Sequence, residues 1–300
     1  MPDVSVIILT KNAGSRFEEI MNTILNQKFD GNFEIVVVDS GSTDNTLEIA
    51  EKYNARIFKI KPDEFHHSRT RNFGAERSKG KILVYLTQDA LPLNNHWLNN
   101  LLTPLNNRDV AVVYGRQVVY PNAKPMDAFF YSYFYPDTRK ILTKEDTNDP
   151  RKFYLGNIFI SDVCSAIKRD VWETIRFRDE IFMSEDKDFA LRVLKAAYKI
   201  VYEPKAAVYH SHDYTLVSLF RRRFKDGVAY SYITSHGSDK FVSSGMKYFL
   251  EEVKFLARRY PKWLTYALIY DFAHFLAFQL GKTYGKTHVR NRLIRKYWMR

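Results

Sequence analysis

The run Val4-Ser5-Val6-Ile7-Ile8-Leu9 is apolar almost without interruption. A strand with one wet face alternates. A continuous run needs cover on both faces, the condition of a strand inside a parallel sheet. Thr10-Lys11-Asn12 follows at its tip. The period then changes: Phe17, Ile20, Met21, Ile24 and Leu25 recur at helical spacing. Residues 34–38 form a second apolar run ending in Asp39, and Ser42-Thr43-Asp44-Asn45 supplies N-caps for a helix through Leu47, Ile49 and Tyr53. Residues 56–60 read as a third short strand. This β-α-β-α-β order predicts an α/β, Rossmann-like, mostly parallel sheet with right-handed crossovers and flanking helices.

Residues 81–88 repeat the design, with Asp89 at the tip and Leu91-Pro92 turning the chain away. Open α/β sheets bind ligands at the carboxyl ends of their strands, so Asp39, beside Thr10, and Asp89 are the first candidates. No Gly-x-Gly-x-x-Gly follows the first strand and no Gly-x-x-x-x-Gly-Lys-Ser/Thr occurs, which disfavours dinucleotide and P-loop chemistry. Asp89 suits a hard divalent cation, Mg2+ or Mn2+, shared with substrate phosphates. His210 and His212 lie one residue apart in a short extended segment, so their side chains are expected on opposite faces and only one is expected to join Asp89. Glu185-Asp186 precedes an apolar helix; the pair fits either the helix N-terminal dipole or a general base. Arg69 and Arg71, with His66 and His67, form a cationic cluster suited to phosphate or simply to solvent.

Farther on, residues 97–105 read as a helix, and 110–114, 153–160, 165–167 and 199–202 as strands. Residues 120–149 are irregular and aromatic, either a lid over a site or a satellite core. The single cysteine, Cys164, excludes a disulfide framework and fits a reducing compartment. The N-terminus has no basic leader and reads as a first strand rather than a signal peptide.

The net charge is +12, and residues 240–300 hold thirteen Lys and Arg against Glu251, Glu252 and Asp271. The chain therefore divides into residues 1–235 and a basic, aromatic, helical segment, 236–300, with an anionic partner. Nucleic acid is disfavoured because the charge is confined to the tail and no stacking-sheet motif occurs. Residues 263–280 are apolar but contain Asp271, His274 and Gln279. A charge at bilayer centre costs roughly 2.5–3.5 kcal/mol even on lenient scales, so a helix lying in a membrane interface or packed on the catalytic domain is expected rather than a spanning one. Arg290, Arg292, Arg295, Lys296 and Arg300 would each add about 1 kcal/mol at an anionic surface. A solvated tail or a homo-oligomer contact is the alternative.

Four stretches, in order, resemble the inverting family 2 glycosyltransferases, which have the GT-A fold. They are residues 4–12, Val36-Val37-Val38-Asp39-Ser40-Gly41-Ser42-Thr43-Asp44, Arg71-Asn72-Phe73-Gly74 and Glu185-Asp186. The resemblance implies that Thr10, Asn12, Asp39, Ser40, Arg69, Arg71 and Gln88 hold the nucleotide of a nucleotide-sugar donor. Asp89 stands where the family's metal-binding Asp-x-Asp ends, with His210 or His212 as a further ligand. Asp186 is the implied catalytic base, with Glu185 beside it. Thr87-Gln88-Asp89 departs from the pattern by supplying one carboxylate for two. Within the family, Leu86-Thr87-Gln88-Asp89-Ala90-Leu91-Pro92, residues 65–72 and residues 209–214 look like the rhamnosyltransferase branch. That implies dTDP-rhamnose as donor, a lipid-linked cell-surface glycan as acceptor, and a peripheral place at the cytoplasmic membrane face. Another UDP- or GDP-sugar donor is the alternative, and a nucleotidyltransferase lacks its Gly-rich loop here.

Overall fold

The computed structural model describes residues 2–148, 160–233 and 241–288. The chain opens as β1 (Val4–Thr10), α1 (Arg16–Leu25), β2 (Phe33–Asp39), α2 (Thr46–Lys52), β3 (Arg56–Lys59), α3 (His67–Arg77) and β4 (Ile82–Thr87). Strands β3, β2, β1 and β4 lie side by side and parallel, with Thr10 in register with Asp39. The uninterrupted apolar runs have the predicted cause. Val4, Val6 and Ile8 enter one core with Phe17, Ile20 and Trp97, while Ile7, Val36 and Val38 enter another with Tyr85, Trp172 and Phe189.

After β4 come β5 (Leu91–Pro92), α4 (Trp97–Leu102), β6 (Val110–Val118), α5 (Pro125–Phe134), β7 (Lys140–Leu142), β8 (Cys164–Lys168), α6 (Arg169–Ile175), α7 (Glu185–Lys195) and β9 (Lys199–Tyr209). Among the described residues the sheet runs β3-β2-β1-β4-β8-β6-β9-β5, with β7 also on β9. Strand β8 is antiparallel to both neighbours, β4 and β6. The fold is the expected α/β sheet with flanking helices.

Three local expectations change. The short strand at 199–202 is the first part of an eleven-residue strand. Pro204 reads as a break because it cannot donate to a ladder. It falls where the register with β6 jumps, from Gly115↔Glu203 to Arg116↔Ala207, so no ladder bond is lost. Gly115 is required there, since a Cβ would lie 2.1 Å from the Ala206 carbonyl oxygen. Leu91-Pro92, expected as a turn, pairs with Tyr209 and Val208 and ties the tip of β4 to the end of β9. Residues 120–149 contain a helix, opened by Pro125 in its first turn, and a strand. The strand expected at 153–160 lies largely outside the described residues, as do Arg290, Arg292, Arg295, Lys296 and Arg300.

The chain ends in α8 (Leu216–Ile233), α9 (Phe241–Arg259) and α10 (Leu264–His288). Helices α8 and α10 meet backbone to backbone. A Cβ on Gly281 would lie 2.0 Å from the Phe224 oxygen, and one on Gly227 2.2 Å from the Phe278 oxygen. A third core joins this group to α5 through Met126, Leu219, Leu256, Ala267 and Tyr270. The α5 aromatics divide accordingly: Phe129, Phe130, Tyr133 and Phe134 pack around Tyr248 of α9, while Tyr131 turns to His210.

Candidate active site

The carboxyl ends of β1, β2 and β4 open on a cleft of about 280 Å³ lined by Thr10, Lys11, Ser40, His67, Arg71, Gln88, Asp89 and Asp162 among others. At its β1–β2 side Asp39 is buried. Thr10 Oγ1 donates to its Oδ1 at 2.9 Å, as does the Ser42 hydroxyl, and the Gly41 and Ser42 N–H groups donate to Oδ2, both at 2.9 Å. Burial raises the Asp39 pKa, but these bonds outweigh it and hold the group below the usual carboxylate range. A carboxylate offers about four acceptor sites, and all four are used. In this structure Asp39 therefore fixes loop 40–43, and Thr10 and Ser40 face the cleft. Asn12, at φ 48°, stitches the same loops: its Oδ1 accepts from Thr43 N–H at 2.7 Å, and its own N–H donates to Ser42 Oγ at 2.8 Å. Gln88 clamps β4 to β1, accepting from Lys11 N–H at 2.8 Å and donating to the Lys11 carbonyl at 3.2 Å.

Arg71 and Arg69 part company. Residues two apart on a helix point about 200° apart. With Arg71 turned inward from α3, Arg69 faces solvent and lies outside the cleft wall. Arg71 is committed to carboxylates: Nη1 bonds Glu185 Oε1, and Nε lies 3.3 Å from Asp162 Oδ2. Glu185, at the start of α7, is buried in that pair and is not a free base. Asp186 is half-buried; its Oδ1 accepts from Lys187 N–H at 2.8 Å and its Oδ2 from Asp162 N–H at 3.4 Å. Burial and then the Glu185 charge push its pKa up, against Lys187 and Arg71. That places its proton affinity nearer neutrality, as a general base requires. Of the three strand- and helix-end carboxylates, Asp89 lines the cleft directly, while Asp39 and Asp186 adjoin it through Thr10 and Asp162.

Both histidines reach Asp89, contrary to the expectation of one. His210 Nε2 and His212 Nδ1 each lie 3.7 Å from Asp89 Oδ2, and the three ligand atoms fall within 4.8 Å of one another. The reason is local. Side chains alternate along an extended chain, so His210 and His212, with Ser211 between them, share a face rather than oppose one another. The surroundings of His210 fix its tautomer. Gln117 Nε2 donates to Tyr135 Oη at 2.7 Å, leaving Gln117 Oε1 to accept from His210 Nδ1–H at 2.8 Å. The Nε2 lone pair then faces a carboxylate oxygen with no proton between them. Burial pushes the His210 pKa down to about 4, against Asp89, so the ring is neutral. Two imidazole lone pairs converging on a carboxylate, one ring held from behind, are a metal-ligand set. One carboxylate and two imidazoles fit a first-row divalent cation such as Mn2+ better than Mg2+, which prefers oxygen throughout.

Asp162, Gln117, Tyr131 and Arg222 escaped sequence reasoning, and His67, expected in a cationic cluster, is held neutral. Asp162 has a buried Oδ2 without a hydrogen bond and a pKa raised by burial. His67 lines the cleft with its pKa pushed down to about 3 by burial and Arg71. Gln117 and Tyr131 support His210. Arg222, on α8, places a positive field on His67, His210, His212 and Asp186. Its only sequence signal is the Arg221-Arg222-Arg223 run.

A family profile described as Glycosyl transferase family 2 matches residues 5–176. The O-antigen chain rhamnosyltransferase WbaN of Salmonella anatum is 33% identical over 293 residues, covering 94% of this chain and 90% of that protein. The O-antigen chain rhamnosyltransferase RfbN of Salmonella typhimurium is 31% identical over 284 residues, covering 93% and 89%. Among solved structures, the mannosyltransferase PcManGT of Pyrobaculum calidifontis, in complex with GDP-Man and Mn2+, superposes with a TM-score of 0.59 at 17% identity, over 99% of this chain and 87% of that one. S. aureus TarS 1-349 in complex with UDP-GlcNAc gives 0.57 at 18%, over 86% and 73%. These two likenesses concern the GT-A fold.

Proposed function

The chain belongs to glycosyl transferase family 2, and on that premise we propose that it transfers rhamnose, with inversion, from dTDP-rhamnose to a hydroxyl of a lipid-linked cell-surface glycan at the cytoplasmic face of the membrane. The observation that carries the chemistry is the convergence of Asp89, His210 and His212 on one point at the mouth of the strand-end cleft. The donor assignment leans on the two rhamnosyltransferases that share nearly the whole chain.

In this reading the nucleotide lies over Thr10, Ser40 and Gln88, on loops whose shape Asn12 and Asp39 maintain. Asp89, His210 and His212 would hold a divalent cation, which would supply positive charge to the departing diphosphate. Asp186 takes the acceptor proton as that oxygen attacks the anomeric carbon and the carbon–phosphate-oxygen bond breaks. Arg71 sets the position of Glu185 and, with Lys187, opposes the rise in the Asp186 pKa that burial and Glu185 cause. Arg222 adds positive charge on the metal side.

The deciding experiment offers dTDP-rhamnose, UDP- and GDP-sugars to the purified protein with a lipid-linked glycan extract and Mn2+. Transfer from dTDP-rhamnose alone supports the proposal. Transfer from another sugar nucleotide keeps the reaction and replaces the donor. Absence of transfer and of donor hydrolysis with every sugar nucleotide overturns the reading.

A further inference from the structure

The outer side of α10 is apolar for more than three turns. Leu268, Ile269, Phe272, Phe275, Leu276 and Leu280 are 38–66% exposed. At 3.6 residues per turn they fall within an arc of roughly 140°. The reverse side, through Ala267, Tyr270, Ala277 and Phe278, is buried. Such an exposed stripe on a folded chain calls for a partner.

Charge says which partner. Lys262 is exposed just before α10, Lys286 is exposed at the far end of the stripe, and Lys247, Lys254 and Arg258 are exposed on α9. The acids of this segment are out of the way. Glu252 is buried and hydrogen-bonded with Asp271, and Glu251 pairs with Lys254 at 3.2 Å. Lys262 and Lys286 thus stand at the two ends of the hydrocarbon stripe, and the neighbouring helix adds exposed Lys247 and Arg258. A second copy of the chain would bring like charges together across a two-fold axis. An anionic lipid surface would meet them with opposite charge. The stripe, about 18 Å long at 1.5 Å per residue, is too short for a core of about 30 Å, and no described helix is long and apolar enough to cross a membrane. Trp263 and Tyr260, at the elbow before α10, suit the headgroup level.

We propose that this face of α10 seats the protein on an anionic lipid monolayer with the helix axis in the membrane plane, so that the cleft stands over a lipid-linked acceptor. The acceptor's presence there rests on the transfer reaction proposed above; the docking itself needs no turnover.

The test is flotation of the full chain with phosphatidylcholine vesicles, with and without phosphatidylglycerol, alongside slow donor hydrolysis in solution. The wild type should float with the mixed vesicles and about tenfold less with the neutral ones. The triple variant Phe272→Ser/Phe275→Ser/Leu276→Ser should lose about tenfold in binding while donor hydrolysis is unchanged. Lys247→Glu/Arg258→Glu, which leaves the apolar stripe intact, should lose the preference for anionic vesicles. The proposal is overturned if the wild type floats with neither vesicle, if the triple variant floats like the wild type, or if light scattering shows a dimer that the triple variant disperses. Normal flotation without hydrolysis of any sugar nucleotide would sink the transferase reading and leave the docking surface standing.

Discussion

Replacing Arg71 by methionine keeps the hydrocarbon stem and deletes the guanidinium that serves both Glu185 and Asp162. Both carboxylates are buried. Removing one partner from a buried ion pair costs about 3–5 kcal/mol, because the other charge is left without compensation. Two stranded carboxylates argue for the top of that range; Asp162, whose pKa burial already raises, escapes part of it by taking a proton. We therefore expect a loss of about 3–4 kcal/mol at pH 8. At roughly 2–4 °C per kcal/mol for a chain near this size, Tm should fall by about 6–16 °C. In the variant Asp162, already raised by burial and now without its guanidinium, has a folded pKa above its unfolded one, so the folded state holds an extra proton and gains stability as pH falls. The deficit at pH 5.5 should be no more than about half that at pH 8. Arg71→Lys, which keeps the charge but cannot bridge both oxygens, should fall between. Thermal unfolding of the three proteins at the two pH values measures this. A loss below about 1 kcal/mol, or a deficit equal at both pH values, would refute the assignment of Arg71 as the counter-charge of the cleft floor.

Asp186→Asn should leave donor binding within about twofold and reduce transfer by roughly 10²–10⁴-fold; near-normal turnover would remove the base from Asp186. Gln117→Leu frees the His210 tautomer and should weaken Mn2+ binding about 10–100-fold, read by calorimetry without substrate. Because burial holds the His210 pKa near 4, Mn2+ affinity in the wild type should fall less between pH 7 and pH 5.5 than an ordinary imidazole of pKa about 6.5 would allow. Glu252 is held neutral by burial beside Asp271, so its contribution is whole below its usual value of 4.5 and fades as pH climbs toward its raised one. Glu252→Gln should accordingly flatten the decline in Tm between pH 5 and pH 9, and an unchanged slope would show that the pair does not share a proton. Gly281→Val must part α8 from α10 and should cost roughly 3 kcal/mol, seen as early proteolysis within the last two helices.

The first half of the sheet was legible because its periods contrast: doubly buried runs in β1, β2 and β4, helical spacing in α1 and α2. The histidine pair was harder. Pro204 looks like the end of a strand, and only the register jump opposite Gly115 shows that β9 continues to Tyr209 and delivers two rings to Asp89. Arg69 and Arg71 read as one cluster because they are neighbours in sequence; on the helix from His67 they point about 200° apart. Asp162 and Arg222 carry no motif and enter the site only through tertiary packing. That Asp39 spends every acceptor site on its own loop depends on hydrogen bonds that a letter string does not encode.

The glycine contacts between α8 and α10 have a mechanical consequence. Hinged on a loose linker, a catalytic domain could tilt and wander. Two rods pressed together through Gly227 and Gly281 act as a bracket, and α8 leaves that bracket only six residues after His210. A displacement of α10 is thereby passed directly to α8, and so to the short segment that carries His210 and His212.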